Sequence, residues 1–295
     1  EYLTFFVLLS FYLFYLFHAT GGRAPLLGFY ASLAAAAMSK GPVALVLVIP
    51  PAALFLFITH KASLLKQGWH IAGILLFFAL VLPWPVAVAL LRPDALSVWF
   101  RESVLRYGSA LNSHGRHSLF YLKFLPALFW PWLPLLISGA LSFRKWCPPG
   151  KRSAHLYLLL WLLWGLLFFS LCAEKKAPYL LPLVPAAAML PAGYCLHVLR
   201  GGSPAKFLRI LLMITGVLYA VLGIAVAVLA LTHLPISRVV AGGGHGWICV
   251  AAIGLLGGTW IYISALKRRY TGALAAIALA SFASMLTGIF FYLCE

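Results

Sequence analysis

Residues 71–91 read IAGILLFFALVLPWPVAVALL, an apolar run closed by Arg92. At about 1.5 Å per helical residue, a run of this length covers the ~30 Å hydrocarbon core of a bilayer. The rest of the 295-residue chain follows suit: 64% of its residues are hydrophobic, 9% are charged, and its mean hydropathy is +1.01. A water-soluble domain does not carry that much apolar surface. The sequence predicts an all-α polytopic membrane protein, read as a single transmembrane domain over residues 1–295.

Working outward from 71–91, further apolar runs occur at Tyr2–Phe17, Pro25–Met38, Val43–Ile58, Leu122–Leu141, His155–Cys172, Tyr179–Leu199, Ile210–Leu231, Trp247–Leu266 and Thr271–Leu293. About ten transmembrane helices are therefore expected. The aromatic opening run has no basic stretch before it and does not read as a signal peptide. Pro83, Pro85, Pro131 and Pro134 read as kinks or helix ends. Trp84, Trp99, Trp130 and Trp132 read as an interfacial aromatic belt. The five cysteines are scattered without metal-ligand or paired spacing, as structural thiols are.

The net charge of +17 would suggest nucleic acid in a soluble protein. Here Lys and Arg sit mostly in short loops, so the excess reads as topology and contact with anionic membrane lipids, with no nucleic-acid partner. Alternating the spans divides the 22 basic residues into two sets. One holds 13: Arg23, Lys61, Lys66, Arg144, Lys145, Lys151, Arg152, Arg200, Lys206, Arg209, Lys267, Arg268 and Arg269. The other holds nine, among them Lys40, Arg92, Arg101, Arg106, Arg116, Lys175 and Lys176. The positive-inside rule puts the larger set in the cytoplasm and both chain ends outside.

The outer cations gather at three places: Lys40, the region 92–123, and Lys175–Lys176. The second is LRPDALSVWFRESVLRYGSALNSHGRHSLFY (91–121), which holds Asp94 and Glu102, two of the chain's five carboxylates. A helix opened by Pro93 gathers Leu96, Trp99, Phe100, Val104 and Tyr107 on one side, the pattern of an interfacial amphipathic helix within an outer loop at 92–118. A lipid-linked phosphate donor needs such an arrangement, an apolar groove topped by fixed cations. Lys40, Arg106, Arg116 and Lys176 are the candidates for the donor phosphate, with Arg101 and Lys175 beside them. Each residue also has a plainer reading. Lys40 can snorkel at a helix end, Glu102 and Arg106 can pair at i,i+4, and His114 and His117 can bond water or headgroups.

Three segments carry a family resemblance: SKGP at 39–42, WFRESVLRYG at 99–108 with HGRHSLFYLKFLPALFWPW at 114–132, and FFSLCAEKKAPYLLPLVPAAAML at 168–190. In this order and spacing they resemble the polytopic C-type glycosyltransferases, which include lipid A aminoarabinose transferases and relatives of the dolichyl-phosphate-mannose protein mannosyltransferases. The resemblance covers roughly residues 1–200. It departs at Ser103, where the family often has His, and at Ala177-Pro178-Tyr179, one residue shorter than the commoner form.

The resemblance implies transfer of a sugar from a polyprenyl-phosphate-linked donor to a lipid A-like lipid, a glycan or a protein acceptor, at the outer face of a bacterial inner membrane. It implies that the acceptor-activating acidic residues, and any divalent metal ion, belong to a first outer loop that this sequence lacks. The chain is therefore expected to be a fragment, inactive alone. Asp94, Glu102 and His117 are the local candidates for a catalytic base, and His114 and His117 for a metal. A multi-span transporter or flippase is the other functional class, but it places ionisable groups near the midplane, whereas these lie at span ends. An inactive truncated product is a further alternative.

The charge asymmetry makes a direct prediction. In a background freed of the native cysteines, Ser113→Cys and Gly150→Cys should react with impermeant maleimide from opposite sides of the membrane. Labelling of both from one side would overturn the sidedness.

Overall fold

In hydrocarbon the backbone has no water to bond, so apolar runs must satisfy their own amides. All the elements among the described residues are accordingly helical. The computed structural model describes residues 2–92, 94, 97, 98, 121, 129–172, 175–231 and 246–294. In order these form α1 (Tyr2–Thr20), α2 (Arg23–Lys40), α3 (Val43–Ile58), a 3-10 turn (Ala62–Lys66), α4 (Trp69–Val81) and α5 (Pro83–Leu91). Then come α6 (Leu133–Leu141), α7 (Phe143–Trp146), α8 (Pro149–Leu171), a second 3-10 turn (Ala177–Leu183), α9 (Val184–Leu199), α10 (Lys206–Leu231), α11 (Gly246–Leu266) and α12 (Tyr270–Cys294).

The chain is a multi-pass membrane protein. Among the described residues six stretches are long and apolar enough to cross a membrane: Tyr2–Thr20, Trp69–Leu91, Pro149–Leu171, Pro178–Leu199, Lys206–Leu229 and Ile248–Leu266. Val43–Ile58 and Tyr270–Ala283 are shorter apolar helices. The alanine-rich run becomes α2, and Pro83 opens α5 where a break was expected. Of the run 122–141, only 129–141 is described, with α6 as its helix. The interfacial helix expected within 92–118 lies outside the described residues, apart from a turn in which the Asp94 carbonyl accepts from the N–H groups of Ser97 (3.1 Å) and Val98 (3.2 Å).

The chain divides into two compact units, residues 1–128 with 148–190, and residues 129–147 with 191–295. The first unit packs through aromatic rings. Phe11 of α1 stacks on Trp161 of α8 at 4.0 Å between centroids, and Tyr157 packs against Phe11 and Phe55 at 5.4 and 4.6 Å. Small residues let α2 approach its neighbours: Ala34, Ala36 and Ala37 are buried, and the Ser10 and Ser32 hydroxyls bond at 2.9 Å. Lys61 Nζ donates to the His18 carbonyl at 2.9 Å, and the Arg23 guanidinium lies 5.4 Å from the Trp69 ring centroid. These cations cluster where α1 ends and α2 begins, whereas Lys40 stands at the opposite end of α2.

Two prolines, Pro50 and Pro51, sit inside α3. Pro50 has no N–H to give the carbonyl four residues back, that of Val46. The indole N–H of Trp164 on α8 donates to that oxygen at 2.7 Å. The proline is tolerated because a neighbouring helix supplies the missing donor.

The second unit packs through glycines. A Cβ on Gly223 of α10 would come within 2.7 Å of the Ala251 carbonyl and the Leu255 amide of α11, and one on Gly254 within 2.8 Å of the Gly223 Cα. Backbone approach of this kind is how membrane helices gain dispersion contacts without a hydrophobic driving force. Leu208, Leu212, Ile261, Leu274 and Ile277 build its buried core, together with Leu135 and Tyr194.

Trp164→Phe should destabilise the protein by about 1–3 kcal/mol by orphaning the Val46 carbonyl. In a Pro50→Ala background the new amide restores the donor and the cost should shrink. Equal losses of thermal stability in both backgrounds, measured in one detergent, would show that the indole bond does not answer the proline.

Candidate functional site

The candidate site is built by the two cationic turns of the first unit that the structure describes. Lys40 is the last residue of α2. Gly41 takes φ 73°, a left-handed value that favours glycine, and its N–H donates to the Ala37 carbonyl at 2.7 Å. Pro42 then caps α3 and accepts from the N–H groups of Leu45 (3.0 Å) and Val46 (3.3 Å). The Ser-Lys-Gly-Pro sequence is thus a tight turn that ends one helix, starts the next and leaves a lysine on the negative end of a helix dipole.

The Lys175–Lys176 turn comes back to this point. Cys172 caps α8, and Ala177–Leu183 winds a 3-10 turn in which the Tyr179 N–H donates to the Lys176 carbonyl at 3.0 Å. The turn brings the Tyr179 ring against Lys40, with Nζ 4.7 Å from the ring centroid. Tyr179 in turn lies 5.9 Å from the Phe169 ring. Around them is a cavity of about 240 Å³, lined by Thr4, Ser39, Lys40 and Tyr179 on its polar side and by Leu3 and Phe169 among its apolar walls.

Tyr121 fixes the second turn. It is completely buried, its hydroxyl donates to the Lys176 carbonyl at 3.1 Å, and it accepts from the Lys176 N–H at 3.0 Å. One phenol therefore satisfies both backbone groups of the lysine. Lys175 points back along α8, where Nζ donates to the Cys172 carbonyl at 2.7 Å, and the Lys176 side chain is exposed. Burial pushes the Cys172 thiol up from its ordinary range, offset in part by the Lys175 charge.

The structure places Lys40 against Tyr179, three residues past Lys176. Asp94 is exposed. Arg101, Glu102, Arg106, His114, Arg116 and His117 lie outside the described residues. Among the described residues no three His, Cys, Asp or Glu side chains converge as metal ligands. Sequence reasoning missed Tyr179 and Tyr121 as the parts that position the lysines. Tyr179 stands three residues after Lys176, the spacing that a 3-10 turn closes.

No family model matches the chain. Curated relatives do match. An undecaprenyl phosphate-alpha-4-amino-4-deoxy-L-arabinose arabinosyl transferase of Erwinia tasmaniensis is 34% identical over 182 residues, 59% of this chain and 32% of the relative. The corresponding transferase of Aeromonas hydrophila is 30% identical over 251 residues, 82% of this chain and 44% of the relative. The chain is a homologue of these transferases. It spans less than half the length of each. In fold it matches the crystal structure of ArnT from Cupriavidus metallidurans bound to undecaprenyl phosphate, with a TM-score of 0.66 and 19% identity over 97% of this chain and 50% of that one. The apo crystal structure of the same protein gives a TM-score of 0.65. These matches carry the C-type fold through most of the chain, beyond the roughly 200 residues in which motifs were legible.

Tyr121→Phe removes the hydroxyl and leaves the Lys176 N–H and carbonyl without it. Amide exchange at 175–179 should accelerate, by tenfold or more if the pair contributes about 1.5 kcal/mol. Unchanged exchange in this segment would remove Tyr121 as the latch.

Proposed function

We propose that the chain serves membrane glycosyl transfer, holding the phosphate of a polyprenyl-phosphate-linked sugar donor while the sugar passes to a lipid acceptor of the lipid A kind. The reaction is proposed for the outer face of a bacterial inner membrane. Homology to the aminoarabinose transferases supports the reaction class. The observation that carries the assignment to residues is Lys40 lying 4.7 Å from the Tyr179 ring, in a cavity that Lys40, Ser39 and Thr4 line on one side and apolar residues on the other.

As the bond between sugar carbon and phosphate oxygen breaks, the electron pair stays on the phosphate, and fixed cations there lower the barrier. Lys40 and Lys176 are proposed as such cations, with Lys175 beside them and Arg101, Arg106 and Arg116 supplied by the 92–118 loop. The tail of the donor needs an apolar bed. A groove of about 440 Å³ begins on α1 at Phe5, the residue after Thr4 of the Lys40 cavity, and continues past Leu8 and Tyr12 against Leu158 of α8. The acceptor hydroxyl must lose a proton to a base. Asp94, Glu102 and His117 are this chain's own candidates for that base. The chain spans less than half the length of its relatives, so donor binding is the readout that tests these residues.

Removing one cation from a charge-assisted phosphate contact costs about 1.5–3 kcal/mol, or roughly ten- to hundredfold in affinity. Lys40→Met should weaken binding of undecaprenyl phosphate by that factor with the folded yield unchanged. Lys66→Met, at an exposed position of the Ala62–Lys66 turn, is the matched control and should bind like the parent. Lys61 is unsuitable because its ammonium holds the His18 carbonyl. Parental affinity in Lys40→Met, or equal losses in both variants, would make Lys40 a topology charge only.

A further inference from the structure

The second unit carries a concentration of positive charge with almost nothing to offset it. Its segments contain Arg200, Lys206, Arg209, Lys267, Arg268 and Arg269, and their one carboxylate is Glu295 at the chain end. Lys267, Arg268 and Arg269 form the turn between α11 and α12, and all three are exposed. The turn is tightly hydrogen-bonded: Arg268 takes φ 56°, and the N–H groups of Lys267 and Arg269 cap the Ile263 and Ser264 carbonyls at 2.9 and 2.8 Å. Arg209 joins it from α10, with Nη2 donating to the Leu266 carbonyl at 3.2 Å. Its Nε is buried without a hydrogen-bond partner among the described residues.

Directly below this turn runs an apolar groove of about 380 Å³ between α11 and α12. One wall is Ile253, Leu256 and Trp260 of α11, the other the small residues Gly272, Ala276 and Ala283 of α12. The groove starts at Gly272, three residues past Arg269, where a Cβ would stand 3.3 Å from the Ser264 hydroxyl, and the Trp260 indole nitrogen lies 3.9 Å from the same point. From Gly272 to Ala283 it extends about 16 Å at 1.5 Å per residue. That is one leaflet of hydrocarbon, ~15 Å, and half of what a transmembrane partner helix would need. A groove one leaflet deep, opening under three cations, fits an acyl chain whose headgroup is negative.

We propose that this groove and the Lys267–Arg269 turn form a binding site for an anionic phospholipid, with the phosphate on the turn and one acyl chain along Leu256, Trp260 and Ala276. The site requires no donor sugar and stands whether or not Lys40 binds phosphate. Juxtamembrane cations act on anionic lipid at roughly fivefold each, so the three together favour such a lipid by on the order of a hundredfold.

The full 295-residue chain is reconstituted in vesicles of phosphatidylcholine containing a trace of phosphatidylglycerol or of phosphatidylcholine with a photoactivatable acyl chain, and labelled residues are mapped. The expected result is labelling of 253–260 and 275–283 by the phosphatidylglycerol probe at least tenfold above the phosphatidylcholine probe. The combined Lys267→Gln, Arg268→Gln, Arg269→Gln variant should lose that preference. Ala275→Phe, at an exposed position lining the groove, should lose the labelling altogether. Salt at about 0.5 M, where the screening length is only several ångströms, should lower the preference in the parent protein, an arm that does not depend on any variant folding. Equal labelling by the two probes, or a preference untouched by salt, would overturn the site. So would cross-linking of these positions to a second copy in place of lipid.

Discussion

A backbone carbonyl without a donor is costly in hydrocarbon, and the packing of this chain is organised around supplying one. The donors come from far along the sequence. Trp164 reaches the Val46 carbonyl behind Pro50, Tyr121 reaches that of Lys176, Lys61 that of His18, and Arg209 that of Leu266. Trp146, only seven residues away, does the same locally for the Gly139 carbonyl at 2.8 Å. Four of these five acceptors lie at or near helix ends or in a turn, where the backbone ladder runs out, and the fifth lies behind a proline. Each bond therefore does two things. It closes a local deficit and it fixes which element is neighbour to which.

The same constraint sorts the cations. Lys61, Lys175 and Arg209 donate to carbonyls at or just beyond helix C-termini, where the dipole favours a positive charge. Such a cation contributes to the fold of its turn, and removing it disturbs stability and ligand binding together. Lys40 also stands at a helix C-terminus, but its ammonium lies against the face of Tyr179. A ring contact is worth about 0.5–1 kcal/mol at an exposed site, less than a charge-assisted bond to phosphate, and the aromatic face orients the charge.

Much of this was legible in the sequence, for a physical reason. Hydropathy reports the solvent each segment prefers, so the apolar runs and the break at Pro83 could be read directly. The Ser-Lys-Gly-Pro turn was legible because only glycine tolerates φ near 73° easily and proline cannot continue the preceding helix. What escaped is pairwise. Pro50 is tolerated inside α3 because the Val46 carbonyl it frees is answered by an indole 118 positions further along the chain, and no local pattern announces that. Tyr121 and Tyr179 looked like ordinary aromatics of a motif-rich stretch until their partners were visible. Clustering of cations singled out Lys40, Lys175 and Lys176 alike, whereas geometry was needed to show that Lys175 turns back to its own helix.

The two units solve the packing problem differently, and the difference bears on what each can hold. Between membrane helices there is no hydrophobic gain to be had from excluding lipid, so association rests on close dispersion contact and on polar bonds. The first unit obtains that contact by interleaving rings, Phe11 on Trp161 and Tyr157 among Phe11, Phe14 and Phe55. Large rigid side chains leave irregular spaces between helices, and the first unit has a mixed polar and apolar cavity lined in part by a lysine. The second unit obtains it by letting α10 and α11 touch backbone to backbone at Gly223 and Gly254. Glycine contact leaves no room inside the helix pair. What remains open is an outward groove between α11 and α12, apolar along its length and charged only at the turn above it. A headgroup-and-tail molecule matches that distribution, whereas a soluble polar ligand would find one end of it and forfeit the rest.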